Sequence, residues 1–231
     1  MQGKVSWKRG VPFSEEFQDF YFSTEGGLAE SRYVFIESTG LNQKWARALS
    51  FRVGEIGFGT GLNFLLSWKI WEEVHPEGAS FSFVTYEKYP LEKHLMEKAL
   101  AAWPELSPYA KPLITALPIQ YCPGVNLMSF AGGHVRLEIR VGDALTELKG
   151  CNDPVDAWYL DGFSPAKNPE LWSPELFSEI ARLSGLETTL SSYTSAGRVR
   201  RALASSGFAI EKIPGFGPKR EMIRGKRSQF R

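Results

Sequence analysis

Hydrophobic positions along the chain recur with two periods, and the change from one to the other predicts helices and strands in alternation. Apolar residues at helical spacing predict a helix over residues 63–74, and a short apolar run then predicts a buried strand over 81–87. A proline in the first turn predicts a helix over 90–103. The apolar positions of the first helix are Phe64, Leu65, Trp68 and Trp71.

The second half of the chain continues this alternation. The apolar segments 117–130 and 135–141 flank an Ala131-Gly132-Gly133 turn and predict a hairpin. Strands that alternate with helices predict an α/β fold, with a mostly parallel sheet covered on both faces and an antiparallel last strand. The remaining predicted elements are strands at 155–160 and 188–193, helices at 172–183 and 196–205, and an antiparallel pair made of 208–213 and 221–224.

Length and composition limit the protein class. A chain of 231 residues supports one sizeable core, so we expect a single domain over 1–231 with an N-terminal extension over about 1–50. It has no apolar run of about 18 residues, which predicts no transmembrane helix. The first residues lack the apolar core of a secretory signal peptide. Cys122 and Cys151 lack the spacing of a disulfide framework or a metal site, and the three histidines are far apart in the sequence. We therefore expect a cytoplasmic protein without a metal.

The charge is distributed unevenly. The formal net charge is +1, yet residues 197–231 contain ten Lys and Arg against two Glu. A basic C-terminal segment on an acidic body predicts contact with a polyanion. A solvated cationic tail explains the charge equally well at this point.

A glycine-rich junction over residues 52–64 is the clearest motif. Gly57, Gly59 and Gly61 lie in a predicted strand-turn-helix, where bare backbone lets a ligand approach and helix amides point at it. Glu55 at the end of the strand suits a cation or hydroxyl groups better than a phosphate. The G-x-G-x-G spacing is one residue short of the dinucleotide pattern. The junction favours S-adenosylmethionine, and a tight turn without a ligand is the alternative.

Acidic residues end the next three predicted parallel strands. Ligands of such sheets bind beyond the carboxyl ends of the strands. Glu87 can accept from ribose hydroxyls and Asp143 from the adenine amino group, although Asp143 can also be a helix N-cap. Asp161 ends the fourth strand. The predicted cofactor-binding residues are Glu55, Gly57, Gly59, Gly61, Asn63, Glu87, Lys88, Asp143 and Asp161.

The loop over residues 161–169 is expected to face the methyl donor. Methyl transfer to a neutral amine mainly requires that its lone pair be positioned correctly. Asp161 can hold the amine hydrogens, and Phe163 can pack against a base or a sulfonium. We therefore assign catalytic roles to Asp161 and Phe163. A proline-stiffened turn with Phe163 in the core is the alternative.

Eleven sequence blocks, taken in order, resemble the methyltransferase half of the MnmC family, which modifies wobble uridine in tRNA. The match runs from about Phe17 to Gly225. The blocks are Tyr21-Phe22-Ser23, Gly27-Leu28, Glu30, Tyr33-Val34-Phe35, Gly57-Phe58-Gly59-Thr60-Gly61-Leu62-Asn63-Phe64, Tyr86-Glu87-Lys88-Tyr89-Pro90-Leu91, Trp103-Pro104-Glu105-Leu106, Asp156-Ala157-Trp158-Tyr159-Leu160-Asp161-Gly162-Phe163-Ser164-Pro165-Ala166-Lys167-Asn168-Pro169, Thr194-Ser195-Ala196-Gly197, Val199-Arg200-Arg201 and Gly215-Phe216-Gly217-Pro218-Lys219-Arg220-Glu221-Met222.

The resemblance implies a Rossmann-like class I S-adenosylmethionine-dependent methyltransferase fold. It also implies methylation of the amine of 5-aminomethyl-(2-thio)uridine in the tRNA anticodon, giving 5-methylaminomethyl-(2-thio)uridine. Fused family members continue into a flavin-dependent oxidase, whereas this chain ends at Arg231 without a second glycine fingerprint. We expect a stand-alone version, which needs a separate enzyme to supply the aminomethyl group. Arg198 and Pro218 depart from the family pattern in the basic segment.

The resemblance also places tRNA against the basic segment. We expect phosphate contacts from Arg200, Arg201, Lys219 and Arg220, while the arginines at 200 and 201 can instead cap a carboxylate on the body. For Lys167 we expect a salt bridge within its loop. Two other functions stay open: a methyltransferase for a small-molecule or protein amine, and a catalytically silent RNA-binding module.

Overall fold

An eight-stranded sheet forms the centre of the structure, a computed structural model that describes residues 4–228. Residues 1–3 and 229–231, which belong to the predicted single domain and its basic segment, lie outside the described residues. The strands in spatial order are β10 (Phe208–Pro214), β11 (Glu221–Arg227), β9 (Ser184–Ser192), β8 (Val155–Leu160), β4 (Ser50–Ile56), β5 (Ser80–Glu87), β7 (Val135–Val141) and β6 (Gly124–Phe130).

Five neighbouring strands, from β9 to β7, run parallel. The last strand, β11, is antiparallel to β9 and β10, and β6 adds an antiparallel strand at the opposite edge. The chain passes from β4 outward to β5 and β7, then returns to the other side of β4 with β8. This reversal beside β4 is the position where α/β sheets bind ligands. The predicted mostly parallel sheet with an antiparallel last strand is confirmed.

Helices cover both faces of this sheet. The helices are α1 (Gly27–Ser31), α2 (Leu41–Trp45), α3 (Leu62–Val74), α4 (Lys93–Leu100), α5 (Ser107–Ala116), α6 (Ala144–Lys149), α7 (Pro174–Arg182) and α8 (Gly197–Ser205), and a π-helical turn, Arg32–Glu37, continues α1. Helices α1 to α5 pack on one face and α6 to α8 on the other. No helix within residues 4–228 is long and apolar enough to cross a bilayer.

Alternate residues of the central strands enter two separate cores, because successive strand side chains point to opposite faces. In β8, Tyr159 packs with the first group of helices, whereas Trp158 packs with the second. Both side chains are at most 1% exposed. Trp68 and Trp71 of α3 are buried in the first core, as their helical spacing predicts.

Two predicted elements need correction. The helix expected over 90–103 extends only over Lys93–Leu100, and the strand expected from residue 117 begins at Gly124. The segment between them contains helix α5, which the sequence analysis did not predict. Pro108 lies in its first turn, where proline is tolerated, but Pro112 lies inside the helix, where proline is normally a breaker. Burial of Leu113 from this helix shows that tertiary packing outweighs the local signal.

The N-terminal extension contains regular structure of its own. Strands β1 (Val5–Lys8), β2 (Val11–Ser14) and β3 (Asp19–Phe20) form a small antiparallel sheet. Phe13 of this sheet is buried and packs edge-to-face against Phe20. The small sheet lies beside the carboxyl ends of the parallel strands, where its residues reach the candidate site.

Candidate active site

A cavity of about 1300 Å³ opens at the carboxyl ends of the parallel strands. Its walls include the turn after β4, the ends of β5 and β7, the loop after β8 and residues of the N-terminal extension. This volume exceeds the roughly 300–1,000 Å³ of a typical small-molecule site. The cavity therefore has room for a cofactor together with part of an acceptor.

The glycine turn after β4 has the backbone conformation that the sequence predicts. Gly57 has a φ of +91°, and a Cβ there would lie 3.2 Å from the Cα of Gly162. Gly61 has a φ of +78° and immediately precedes α3, where a Cβ would lie 3.0 Å from the Phe58 ring. Larger residues at these positions would be strained and would crowd the loop after β8 or the side chains around α3, so both positions favour glycine. Gly57 and Gly59 line the cavity, whereas Gly61 does not.

Glu87 connects β5 to this turn. Its Oε2 accepts hydrogen bonds from the backbone amides of Phe58 (3.1 Å) and Gly59 (3.2 Å), and its Oε1 accepts one from Tyr89 (2.8 Å). Burial raises the pKa of Glu87, and these amides oppose the effect. Oε2 already accepts two hydrogen bonds, so Oε1 is the oxygen with acceptor capacity left for a ligand hydroxyl.

The next two predicted cofactor residues lie along the same edge. Asp143 lines the cavity and is also the N-cap of α6, where Oδ1 accepts from the amide and the hydroxyl of Thr146, both at 3.1 Å. Lys88 lines the cavity, with its ammonium 3.7 Å from Glu170 and 5.6 Å from the centre of the Tyr89 ring. The capping role of Asp143, the alternative drawn from the sequence, is present in the structure.

Glu55 lies beneath the cavity and does not line it. It is 1% exposed, and its carboxylate accepts from Asn63 Nδ2 at 2.9 Å and from Thr85 Oγ1 at 2.8 Å. Burial raises its pKa well above the ordinary value. Asn63 lines the cavity and lies between Glu55 and Asp161, because Nδ2 also donates to Asp161 Oδ2 at 2.7 Å. Glu55 thus contacts the site through Asn63.

Asp161 is half-buried in the cavity wall at the end of β8. Burial raises its pKa to about 7, and the nearby Glu30 carboxylate acts in the same direction. The hydrogen bond from Asn63 and the charge of Lys219 oppose this increase. A carboxyl group with this pKa exchanges protons readily near neutral pH, which is the property of an effective general base.

Phe163 belongs to an aromatic cluster that the sequence analysis did not identify. Its ring stacks on Phe17 at 4.8 Å and meets Tyr21 edge-to-face at 5.1 Å. All three line the cavity, and Phe17 also lies 6.2 Å from Tyr89. Tyr21 and Tyr89 occur in the family-like blocks, but nothing local in the sequence predicts that they meet Phe163.

Asp19 of the N-terminal sheet holds the loop that contains Asp161. Its Oδ2 accepts from the Ser164 amide at 3.1 Å, and its Oδ1 is 3.0 Å from the Lys167 ammonium. Lys167 also donates to the Gln18 carbonyl. The salt bridge expected for Lys167 exists, but its partner comes from the N-terminal extension and not from the loop itself. The extension therefore closes one side of the cavity.

The four predicted phosphate-contacting residues lie in different surroundings. Arg200 donates to the Ser195 carbonyl at 3.2 Å, while Arg201 on the same helix is exposed. Arg220 is exposed in the connection between β10 and β11. Lys219, from the same connection, lines the cavity and pairs with Glu30 at 2.6 Å.

The two residues that depart from the family-like pattern lie near the same cavity. Arg198 donates to the Pro165 carbonyl of the Asp161 loop, and Pro218 is part of the cavity wall.

Among residues 4–228, no group of three or more His, Cys, Asp or Glu side chains is arranged to hold a metal ion.

The chain resembles known proteins in sequence and in fold. The chain is 47% identical to the tRNA 5-methylaminomethyl-2-thiouridine biosynthesis bifunctional protein MnmC of Pseudomonas paraeruginosa, over 96% of this chain and 34% of that protein. The protein of the same name from Aeromonas hydrophila is 45% identical, over 98% of this chain and 35% of its own length. The resemblance to MnmC is thereby confirmed, and the chain spans about a third of these relatives.

The solved structure of MNMC2 from Aquifex aeolicus superposes with a TM-score of 0.77 at 22% identity, covering 98% of this chain and 71% of that one. At this identity the likeness supports the fold. The family of S-adenosyl-L-methionine-dependent methyltransferases matches residues 104–228, more than half of the sequence. The cofactor predicted from the glycine turn is therefore confirmed, and the chain belongs to the S-adenosyl-L-methionine-dependent methyltransferase family.

Proposed function

We propose that this chain, acting in the cytoplasm as one methyltransferase unit, methylates the amine of 5-aminomethyl-(2-thio)uridine at the wobble position of tRNA. The product is 5-methylaminomethyl-(2-thio)uridine. The observation that carries the proposal is Asp161, whose carboxyl group has a pKa of about 7 and lies in the wall of a large cavity. The tRNA substrate is inferred from the names of the relatives. The cavity is large enough to admit one nucleotide of that tRNA.

The cavity fits the cofactor. The glycine turn offers open backbone, and a Cβ at Gly57 would crowd the Asp161 loop. The Glu87 carboxylate suits ribose hydroxyls, and Asn63 presents a polar side chain beside Asp161. When bound, S-adenosylmethionine supplies an electrophilic methyl group on its sulfonium.

Asp161 prepares the acceptor. An alkyl amine with a pKa near 10 is mostly protonated at pH 7, and its nitrogen then has no free lone pair. The Asp161 carboxylate accepts one proton from the substrate ammonium and keeps the remaining hydrogens oriented, so that the lone pair points along the direction of transfer. Its raised pKa reduces the energy gap for this proton transfer.

Phosphate contacts of the tRNA are assigned to Arg200, Arg201, Lys219 and Arg220. The exposure of Arg201 and Arg220 and the position of Lys219 in the cavity wall support this assignment. These contacts supply affinity that depends on salt and not on sequence. The acceptor must already carry a primary amine, so another active site has to expose that amine first.

The test is transfer of labelled methyl groups from S-adenosylmethionine to tRNA that carries 5-aminomethyluridine, followed by nucleoside analysis. We expect label in the wobble methylaminomethyl nucleoside, and none with tRNA that carries an unmodified wobble uridine. Transfer should fall steeply as salt rises. Label absent from tRNA despite demonstrated cofactor binding would contradict the proposal, and salt-insensitive transfer to a small amine would point to a different acceptor.

A further inference from the structure

Glu30 is a second carboxylate in the cavity wall, and the proton transfer described above does not use it. It lies in α1, is only 9% exposed and lines the cavity together with Asp161. Its Oε1 is 2.6 Å from the ammonium of Lys219, whose side chain is 40% exposed. A buried carboxylate is costly unless a cation compensates it, so Glu30 requires a positive partner.

An aromatic ring completes the surroundings of this ammonium. Lys219 Nζ lies 4.5 Å from the centre of the Tyr193 ring, and Tyr193 also lines the cavity. A carboxylate together with the face of an aromatic ring is a favourable environment for an alkylammonium group. The cavity thus contains a formed ammonium site, occupied here by a lysine of the same chain.

Two short connections place this site next to Asp161. Tyr193 Oη donates to the carbonyl of Gly162, the residue after Asp161, at 2.8 Å. Ser31, the residue after Glu30, donates to Asn63 Oδ1, and Asn63 Nδ2 donates to Asp161 at 2.7 Å. A group bound between Glu30 and Tyr193 is therefore close to the base that would deprotonate it.

We propose that Glu30 and Tyr193 form the subsite for the primary ammonium of the acceptor, and that Lys219 occupies this subsite until the acceptor arrives. The inference rests on the proposed function and adds residues that recognise the acceptor amine. The acceptor ammonium replaces the Lys219 ammonium, so the charge on Glu30 stays compensated throughout. The displaced Lys219 remains at the cavity wall, where a phosphate of the same tRNA can receive it.

The test measures binding without turnover. The affinities of tRNA carrying 5-aminomethyluridine and of the same tRNA with unmodified wobble uridine are compared in the presence of S-adenosylhomocysteine. We expect the unaltered protein to prefer the aminomethyl tRNA by about tenfold, because one ammonium replaces another at Glu30 and the displaced Lys219 gains one charged hydrogen bond to phosphate. Glu30→Gln should abolish that preference, whereas Glu37→Gln, an exposed residue outside this cavity, should keep it.

Lys219→Met provides a second, independent variant. If Lys219 only contacts phosphate, its loss should weaken the binding of both tRNAs equally. If its ammonium occupies the acceptor subsite, its loss should increase the ratio of the affinity for the aminomethyl tRNA to the affinity for the unmodified tRNA. We expect the ratio to rise. An unchanged ratio would overturn the inference even if Glu30→Gln failed to fold.

The possible results separate the inference from the proposed function. If the unaltered protein methylates the tRNA but binds both forms equally, or if Glu30→Gln keeps the preference, the inference is wrong and the function stands. If the unaltered protein neither methylates nor prefers the aminomethyl tRNA, both are wrong.

Discussion

Asn63 holds Asp161 by a hydrogen bond of 2.7 Å from its side-chain nitrogen to Oδ2. The orientation of the Asn63 amide is determined by Ser31, which donates to the amide oxygen, and by Glu55, which accepts from the same nitrogen. A donor directed at Asp161 stabilises its ionised form and opposes the effect of burial. Asn63 thereby affects both the position and the pKa of the proposed base.

Replacement of the base tests its role directly. Asp161→Ala should lower kcat by about 10²- to 10⁴-fold, the usual contribution of a general base. Cofactor binding, measured by calorimetry, should be largely retained. Asp153→Ala, which removes an exposed carboxylate elsewhere, should leave kcat unchanged. Normal turnover by Asp161→Ala would contradict the assigned role.

The pH profile should report the titration of Asp161. We expect kcat/KM to rise from pH 6 to pH 9, since the Asp161 carboxylate, which accepts the proton of the substrate ammonium, becomes more abundant. Asn63→Ala should move the midpoint of this rise to higher pH by about one unit, because it removes a hydrogen bond that stabilises the carboxylate. Ser67→Ala, which removes a buried hydroxyl of the same helix bonded to Tyr159, serves as the control. A flat profile in the unaltered protein would show that deprotonation does not limit the reaction.

Stability should also depend on this group. Because the pKa of Asp161 is higher in the folded state than its ordinary value of 3.8, the unfolded chain loses the proton first as pH rises. Ionisation of the unfolded chain therefore lowers the free energy of unfolding progressively between about pH 4 and pH 7, above which Asp161 is ionised in both states. The side chain of Asp161→Asn stays neutral at every pH. The free energy of unfolding of this variant minus that of the unaltered protein should therefore increase by about 2 kcal/mol from pH 5 to pH 8.

Denaturant titrations at the two pH values measure this difference. The exposed Asp153 provides the matched variant, Asp153→Asn, whose effect should be the same at both pH values. A pH-independent effect of Asp161→Asn would show that the carboxyl group titrates normally in the folded protein.

The attachment of the N-terminal sheet to the Asp161 loop can be tested at Asp19. Asp19→Ala removes the acceptor of the Ser164 amide and the partner of Lys167. Hydrogen exchange at Ser164 should accelerate by about tenfold, as expected for the loss of one charge-assisted hydrogen bond. Asp19→Asn retains an oxygen acceptor and should have a smaller effect. Equal exchange in all three proteins would mean that the loop is held by other contacts.

The local pattern of the sequence was sufficient to predict most of the fold. The G-x-G-x-G turn and the acidic residues at strand ends predicted one edge of a parallel sheet, and Glu87, Asp143 and Asp161 all line the cavity there. These features depend on periodicity and on strand ends, which neighbouring residues encode. Helix α5 was missed, and its interior Pro112 gives the opposite local signal.

The sequence alone therefore determined the α/β order, the cofactor class and the position of Asp161, because each follows from residues close together in the chain. Only the tertiary structure brought Glu30, Tyr193 and Lys219 into one ammonium site and placed Asp19 against the Asp161 loop. It also placed Glu55 beneath the cavity, behind Asn63. Such contacts join residues far apart in sequence, and they form only when the sheet, its helices and the N-terminal extension pack together.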